Sequence, residues 1–258
     1  MLIETLKAKK VVGEKITMLT CYDYTFAKLL AACPVDMLLV GDSVGMVVYG
    51  EPNTHHVAMA EMIRHTAAVC RGNQTALTVA DLPAGAYPDI KTAVANAQAL
   101  ISAGAQAVKL EGGREILPQV EGIIAVGIPV FGHVGLTPQT AEKFTVQGRD
   151  ADAAAAIAAD ALALERAGVC GIVLEMIPAG LAQQITASLA IPTIGIGAGR
   201  QVDGQVLVLY DMLGLFEDFK PRFVKHFATA GEQVRAAVTA YCDEVRAGAF
   251  PDDVHSFR

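Results

Sequence analysis

Four short apolar runs of the sequence end in a carboxylic acid. "LLVGD" ends at Asp42, "LTVAD" at Asp81, "AVKLE" at Glu111 and "GIVLE" at Glu175. In a parallel α/β fold the carboxyl ends of all strands emerge on one face, and that face holds the chemistry of such folds. Four acids on one rim repel each other unless protons or a cation offset their charge. The pattern therefore predicts an acidic site that binds a cation or moves protons.

A hard divalent cation is the predicted partner of three of these acids. Asp42, Asp81 and Glu111 follow consecutive runs, so they can share one ion or its bound waters. Carboxylate oxygens suit Mg²⁺, which usually takes one or two of them and leaves places for water and substrate. Glu175 comes from a later run and is left free to act as a base. The alternative is that each acid caps a helix or pairs with a basic neighbour, but four equivalent positions favour a site.

Two basic side chains occupy matching positions in the pattern. Lys109 lies inside "AVKLE", two residues before Glu111, and therefore on the same face of the predicted strand. An unpaired ammonium group in a barrel interior is costly, so Lys109 is expected to lie beside the acids. His133 ends the run "VFGH" at the equivalent place on the fifth predicted strand. A structural and a catalytic role are both open for this histidine.

Ser43 lies in "GDSVG", which matches the G-x-S-x-G pattern of a hydrolase nucleophile. Such a serine needs a following helix, an oxyanion hole and a triad with an acid and a histidine. The residues after Gly45, "MVVYGEPNTHH", are a poor start for a helix, and His133 has no obvious carboxylate to orient it. We therefore interpret Ser43 as a hydroxyl donor to a bound carboxylate or carbonyl rather than as a nucleophile.

The elements that must position these residues alternate along the whole chain. Eight short runs are apolar on both faces, as buried parallel strands are, and helical patterns lie between them. The clearest helices cover residues 59–72, 89–104 and 150–168. Asp89 is the candidate N-cap of the second helix, and Asp150 or Asp152 that of the third. The pattern predicts an α/β fold, a (β/α)8 TIM barrel forming a single domain over residues 1–258. A flatter doubly wound sheet is the alternative. The runs are 16–20, 36–41, 76–80, 107–111, 128–132, 171–175, 191–197 and 205–210.

Composition limits the classes of function. Of the 258 residues 53% are hydrophobic and only 18% charged, which favours a homo-oligomer that covers part of its surface. The net charge of −7, without a basic cluster, argues against nucleic-acid binding. No apolar run suits a membrane span or a signal peptide, so a cytoplasmic protein is expected. The five cysteines, never spaced C-x-x-C, are predicted to be reduced and mostly buried.

Eight motifs occur together in one order from "LTCYDYTFAK" to the end of the chain. They are "LLVGDSVGM", "LTVADLP", "AVKLEGG", "FGHVGLTPQ", "VQGR", "IVLEMIP", "IPTIGIGAG" and the tail "HSF". In these motifs the chain resembles the ketopantoate hydroxymethyltransferase family of the phosphoenolpyruvate/pyruvate superfamily. The resemblance implies a magnesium-dependent TIM barrel assembled as a homodecamer. It also implies transfer of a hydroxymethyl group from 5,10-methylene-tetrahydrofolate to 3-methyl-2-oxobutanoate, giving 2-dehydropantoate for pantothenate and coenzyme A biosynthesis.

The resemblance also implies roles for the motif residues. Asp42, Asp81 and Glu111 correspond to the metal site, and Glu175 corresponds to the proton acceptor. The residues that the resemblance places against the substrate are Asp42, Ser43, Asp81, Lys109 and His133. A metal-dependent lyase or aldolase of the same superfamily, acting on a related 2-oxoacid without folate, is the alternative. An inactive barrel with a structural role is a second one, which the clustered charge disfavours.

Two segments around the site remain open. Family members usually carry Gly-Gly between "LTPQ" and "VQGR", whereas here the shorter "TAEKFT" lies between Gln139 and Val146. We expect this loop to lie over the active-site face, where its length affects lid motion or folate contacts. The residues of "CYDY", Tyr22, Asp23 and Tyr24, either line the mouth of the site or serve packing and helix capping.

Overall fold

A closed barrel of eight parallel strands forms the centre of the computed structural model, which describes residues 2–257. The strands follow each other around the barrel in chain order, and β8 pairs with β1 to close it. This arrangement confirms the predicted TIM barrel and excludes the doubly wound sheet. The strands are β1 (Ile16–Thr20), β2 (Met37–Val40), β3 (Leu77–Asp81), β4 (Ala107–Lys109), β5 (Val130–Gly135), β6 (Gly171–Glu175), β7 (Thr193–Ile196) and β8 (Gly204–Leu207).

Apolar side chains fill the interior of this barrel. Because side chains alternate across a strand, every second residue of each strand points inward. Met18 of β1 pairs in register with Met37 of β2, and Val79 of β3 with Ala107 of β4, and all four belong to one buried cluster. Leu6 joins the same cluster from a helix that precedes the barrel. The barrel is therefore a packed core rather than a pore.

Helices separate consecutive strands as the sequence predicts, except that β7 and β8 are joined by a short loop without a helix. They are α1 (Leu2–Val12), α2 (Tyr24–Leu30), α3 (Val44–Val47), α4 (Met59–Gly72), α5 (Ile90–Ser102), α6 (Leu117–Ala125) after a short 3-10 helix (Arg114–Ile116), α7 (Ala151–Ala167) and α8 (Ala179–Ser188). Helix α1 was not predicted, since its sequence is mixed and has a weak apolar face. It is tied down by Lys10, whose Nζ lies 2.7 Å from Oδ2 of Asp203.

Side-chain caps set the starts of the best predicted helices. Asp89 accepts a hydrogen bond of 2.9 Å from the Thr92 amide at the start of α5. Asp150, rather than Asp152, caps α7 by accepting from the Ala153 amide at 2.8 Å. Gly168 ends α7 with φ +99°, a conformation that glycine adopts without strain.

The chain divides into two compact units, the first ending at Val208 and the second beginning at Leu209. All eight strands belong to the first unit. The second contains α9 (Leu209–Met212) and α10 (Ala230–Ala247), and an ion pair of 2.8 Å joins Glu217 to Arg235 within it. A single domain over residues 1–258 stays a prediction.

The cysteines are less uniformly buried than predicted. All five are free thiols; Cys21 and Cys170 are buried, Cys70 and Cys242 are half-buried, and Cys33 is exposed. The prediction of mostly buried thiols therefore holds for only two positions. Over residues 2–257, no helix combines the length and the apolar composition that spanning a membrane would require.

Candidate active site

The four acids and two basic side chains meet at the carboxyl ends of the strands. Asp81 and Glu175 are the last residues of β3 and β6, while Asp42 and Glu111 lie two residues beyond β2 and β4. Asp42, Asp81 and Glu111 are buried, whereas the side chain of Glu175 remains 14% exposed. Only the last of these carboxylates therefore retains clear access to solvent.

Asp42 and Asp81 lie against each other. The backbone amide of Asp42 donates to Oδ2 of Asp81 over 3.2 Å. Burial raises the pKa of both carboxyl groups, and the charges of Asp81 and Glu111 raise the pKa of Asp42 further. A Cβ at Gly41 would lie 3.0 Å from Ser43 Oγ, so glycine leaves room for the neighbouring serine hydroxyl. Without a nearby cation, the raised pKa values favour a proton on this pair of carboxyl groups over two negative charges.

Lys109 partly balances this charge. Its Nζ lies 3.0 Å from Oδ1 of Asp81 and 3.5 Å from Oε1 of Glu111, and all three side chains are buried. Burial alone would lower the pKa of the ammonium group, but Asp81, Glu111 and Asp42 together raise it above its usual range. Lys109 is therefore charged and lies beside the acids, as expected from the cost of burying it alone.

His133 bridges two carboxylates. Its Nδ1 lies 3.2 Å from Oε1 of Glu111, and its Nε2 lies 3.2 Å from Oε2 of Glu175. Burial acts to lower the histidine pKa, but Glu111 and Glu175 together outweigh it and raise the pKa to about 9. Burial likewise acts to raise the pKa of Glu111, but His133 and Lys109 lower it to about 2. The expectation that His133 lacks a carboxylate to orient it is wrong.

Ser43 has its hydroxyl beside a tyrosine. Its Oγ lies 2.8 Å from the phenolic oxygen of Tyr22, whereas His133 faces the two glutamates. The expectation that no helix follows Ser43 is also wrong, because the one-turn helix α3 begins at Val44. The serine nonetheless has a phenol rather than an imidazole as its described hydrogen-bonding partner, which does not form a hydrolase triad.

The three residues of the "YDY" segment separate into different roles. Tyr22 is buried and reaches Ser43, so it belongs to the site. Asp23 caps α2 by accepting from the Phe26 amide at 2.9 Å, and Tyr24 is half exposed. Only Tyr22 supports the mouth-lining interpretation.

Two site residues had no role in the sequence interpretation. Gln139 donates from Nε2 to Oδ2 of Asp42 over 2.6 Å, and its backbone amide donates to Oε2 of Glu111 over 3.0 Å. The hydroxyl of Tyr87 lies 2.6 Å from Oε1 of Gln139. Gln139 is in the motif "LTPQ", so a signal existed, but a glutamine on a loop does not by itself indicate an acid partner.

The backbone after Glu175 is strained. Met176 has φ +45°, in the left-handed region that residues other than glycine rarely adopt. Its amide donates to the Ile196 carbonyl at 2.9 Å, and its carbonyl accepts from the Gln147 amide at 2.8 Å. Opposite it, Gly135 has φ +100°, and a Cβ there would clash with the Glu175 carbonyl. These contacts fix the direction in which the chain leaves Glu175.

The donor atoms suit a hard cation held by few protein ligands. Over residues 2–257 no three His, Cys, Asp or Glu side chains converge as a preformed metal cage. Asp42 and Asp81 nevertheless supply the one or two carboxylates that Mg²⁺ usually takes from a protein. Glu111 has three partners, Lys109, His133 and Gln139, against two for Asp81, so it fits a place behind bound water better than direct contact. With all four carboxyl groups ionised, their charge exceeds that of Lys109 and His133 by two. A divalent ion would balance this excess in place of the protons that the raised pKa values of Asp42 and Asp81 favour.

These features define a class of protein: a TIM barrel with a cluster of acidic side chains at the carboxyl ends of its strands, one of which is accessible to solvent. The sequence profile of the ketopantoate hydroxymethyltransferase family matches residues 1–253. The chain therefore belongs to the ketopantoate hydroxymethyltransferase family, as its motifs indicated.

Individual relatives agree with this assignment. The chain is 55% identical over 258 residues to the 3-methyl-2-oxobutanoate hydroxymethyltransferase of Moorella thermoacetica, covering 98% of this chain and 96% of the relative. It is 54% identical over 255 residues to the enzyme of that name from Desulfotalea psychrophila, covering 97% and 91%. The fold is similar to that of a phosphonopyruvate hydrolase crystallised with oxalate and Mg²⁺. The TM-score is 0.65 at 13% identity, covering 98% of this chain and 93% of that one.

Proposed function

We propose that this chain transfers a hydroxymethyl group from 5,10-methylene-tetrahydrofolate to 3-methyl-2-oxobutanoate, giving 2-dehydropantoate for pantothenate and coenzyme A biosynthesis. Family membership supports the reaction type. The observation that carries the chemistry is the position of Glu175. This is the one partly accessible carboxylate of the cluster, held by His133 at the same mouth as the Asp42 and Asp81 pair. A base next to a cation-competent acidic pair suits proton removal beside a carbonyl.

Asp42 and Asp81 are proposed to hold Mg²⁺, with Glu111 acting through bound water. When bound, the ion acts as a Lewis acid toward the keto and carboxylate oxygens of a 2-oxoacid and makes the neighbouring C–H more acidic. The carboxylates of Asp42 and Asp81 then lie within reach of the substrate as well as the ion. The metal-binding and the substrate-contacting roles of Asp42 and Asp81 rest on the burial of the two carboxyl groups and on the negative charge that surrounds them.

Lys109 and Ser43 are proposed to bind and orient the substrate. Lys109 carries a buried positive charge that can neutralise a carboxylate or enolate oxygen. Ser43 lies beside Asp42 in the chain, and its hydroxyl can donate to a substrate oxygen while accepting from Tyr22. His133, charged and buried, would contact the oxoacid from the side of Glu175. These three groups supply hydrogen-bond donors where the substrate carries negative charge.

Glu175 is proposed to accept the proton from C3 of the oxoacid. The electron pair of that C–H bond becomes the enolate, whose C3 forms the new carbon–carbon bond to the one-carbon unit of the folate. Both C–N bonds of the methylene unit break, and one water supplies the hydroxyl oxygen. The proton taken up by Glu175 and one proton of the water go to N5 and N10, and tetrahydrofolate leaves. No protein nucleophile is needed, so the G-x-S-x-G match of Ser43 has no covalent role.

Carbon-13 labelling tests the reaction directly. The protein is incubated with Mg²⁺, 3-methyl-2-oxobutanoate and methylene-labelled tetrahydrofolate, and the products are followed by NMR. The proposal predicts label in the hydroxymethyl group of 2-dehydropantoate, and no product when the folate is omitted. Consumption of a 2-oxoacid without folate, and without labelled product, would instead indicate the lyase alternative.

We also propose that the chain forms a homo-oligomer and is located in the cytoplasm. Helix α10 leaves Val234, Val238, Tyr241 and Val245 between 44% and 57% exposed, at spacings that place them along one side of the helix. An exposed apolar stripe of this kind favours a homo-oligomer, for which a homodecamer is the family expectation. Light scattering on the purified protein would measure the subunit number, and a monomer at micromolar concentration would contradict the proposed homo-oligomer.

A further inference from the structure

We propose that Gln139 is a positioning residue that fixes the Asp42 carboxylate and anchors the loop 136–148 to the site. The anchoring depends only on the contacts of this chain. The effect on a divalent cation rests on the proposed function. Gln139 stands near the beginning of this loop.

Gln139 connects three loops that follow three consecutive strands. Its side chain is buried, with only 6% of the residue exposed. Nε2 donates to Oδ2 of Asp42 over 2.6 Å and to the carbonyl of Leu82 over 2.9 Å. Its backbone amide donates to Oε2 of Glu111 over 3.0 Å. One residue thus bonds to the segments after β2, β3 and β4.

Tyr87 determines which end of the amide faces Asp42. Its single hydroxyl proton is donated to Oε1 of Gln139 over the shorter distance, 2.6 Å, while the carbonyl of Glu111 lies 3.0 Å from the same phenolic oxygen. Burial raises the tyrosine pKa above its usual range, so the phenol remains a donor at ordinary pH. With Oε1 accepting from Tyr87, both N–H groups of the amide are free for Asp42 and Leu82. The orientation of Gln139 is therefore set by its own hydrogen bonds.

The contact restricts how Asp42 can be used. With Oδ2 accepting from Gln139, the carboxylate offers its other oxygen to a cation or substrate, in one orientation. Groups that orient metal-binding side chains in this way commonly change metal affinity when they are removed. The short distance of 2.6 Å and the burial of both partners make the contact a strong constraint.

The contacts of Gln139 hold the beginning of the loop 136–148 against the site, whereas the middle of the loop is exposed. At its beginning, Pro138 contacts Nε2 of His55 through its carbonyl at 3.0 Å, and Gln139 is held as described. Farther along, Glu142, Lys143 and Phe144 are exposed. Release of Gln139 should therefore loosen the segment that carries the Lys143–Phe144 bond.

Gln139→Met tests the proposal because methionine keeps the volume and removes the side-chain hydrogen bonds. Gln147→Met is the control for Mn²⁺ affinity, since Gln147 lies on the same loop and its side chain donates to Thr145, over 2.9 and 3.1 Å, rather than to one of the acids. Tyr87→Phe removes the donor that orients the amide while leaving Gln139 in place. Two quantities are measured: the Mn²⁺ dissociation constant by electron paramagnetic resonance, and tryptic cleavage after Lys143 in EDTA by mass spectrometry.

The proposal predicts that Gln139→Met raises the Mn²⁺ dissociation constant about 10- to 100-fold. Cleavage after Lys143 should be faster than in wild type even in EDTA. Tyr87→Phe should shift both quantities in the same direction by less, and Gln147→Met should match wild type in Mn²⁺ affinity. If Gln139→Met does not fold, the Tyr87→Phe result decides.

Unchanged affinity in Gln139→Met and Tyr87→Phe would overturn the positioning role, and unchanged cleavage would overturn the anchoring. Absence of Mn²⁺ binding by the wild type would count against the metal part of the proposed function. The cleavage measurement in EDTA would then decide the anchoring by itself, so the two failures are distinguishable.

Discussion

Nε2 of His133 lies 3.2 Å from Oε2 of Glu175 at the mouth of the barrel. The two residues come from neighbouring strands, β5 and β6, whose register pairs His133 with Val173 and Gly135 with Glu175. Because Glu111 and Glu175 together hold the histidine pKa at about 9, the imidazole is charged near neutral pH and forms an ion pair with Glu175. The histidine thus orients the carboxylate that we propose as the base.

Replacing His133 by glutamine should slow proton removal without abolishing it. Glutamine can reach only one of the two glutamates at a time, so Glu175 would lose its fixed orientation. Misplacement of a catalytic group on this scale costs about 10²-fold in rate. Deuterium exchange at C3 of 3-methyl-2-oxobutanoate measures the effect, and an exchange rate equal to wild type would contradict the orienting role.

Replacing Lys109 by methionine should destabilise the protein through its charge. The substitution leaves Asp81 and Glu111 buried without their cation, and breaking a buried pair in this way costs about 3–5 kcal/mol of unfolding free energy. Urea denaturation at pH 8 in EDTA measures the loss. Lys7→Met is the control, because Lys7 pairs with Glu4 on an exposed surface and its loss should change little. Equal stability of the two variants would show that Lys109 does not compensate the acids.

Ser43→Ala should weaken substrate binding and leave the chemistry intact. Loss of one hydrogen bond to a charged group is worth about 1.5–3 kcal/mol, so KM for the oxoacid should rise about tenfold or more. The exchange rate at saturating oxoacid should stay within a few-fold of wild type. A complete loss of exchange would indicate that Ser43 takes part in the bond-breaking step.

Asp211→Asn should change how stability depends on pH. Burial raises the pKa of Asp211 to about 6, so the folded protein binds this proton more tightly than the unfolded chain, whose pKa is about 3.9. Wild-type stability is therefore lost as pH rises from about 4 through about 6, and asparagine escapes this loss. The melting temperature of the variant relative to wild type should increase across that window and then level off. A difference independent of pH would contradict the buried carboxylate as its cause.

Most of the barrel was predictable because its signals are local. Helix α4 was predicted at its observed bounds, and Asp89 and Gly168 marked the ends of α5 and α7. Strands were predicted within a few residues, since buried parallel strands read as short apolar runs. Helix α1 escaped prediction because much of its stability comes from distant contacts such as that of Lys10 with Asp203. Propensity alone does not report such contacts.

The residues of the site were predicted better than the side-chain contacts between them. Strand ends placed Asp42, Asp81, Glu111 and Glu175 on one face, because parallel strands share a direction. The bridging position of His133 depends on side-chain reach across two strands, which no spacing in the sequence encodes. The left-handed backbone at Met176 was likewise invisible, since methionine gives no sign of positive φ. Long-range contacts, rather than residue identities, were what the sequence did not reveal.

The most direct test of the central claim is proton exchange at C3 of 3-methyl-2-oxobutanoate in D₂O, followed by NMR without folate. Wild type is measured with Mg²⁺ and with EDTA, and Glu175→Gln with Mg²⁺. The account predicts exchange that requires Mg²⁺ and falls about 10²- to 10⁴-fold in the variant, the contribution expected of a general base. Glutamine keeps the size of Glu175, so a folded variant isolates the loss of basicity. Exchange in Glu175→Gln at the wild-type rate would contradict the account.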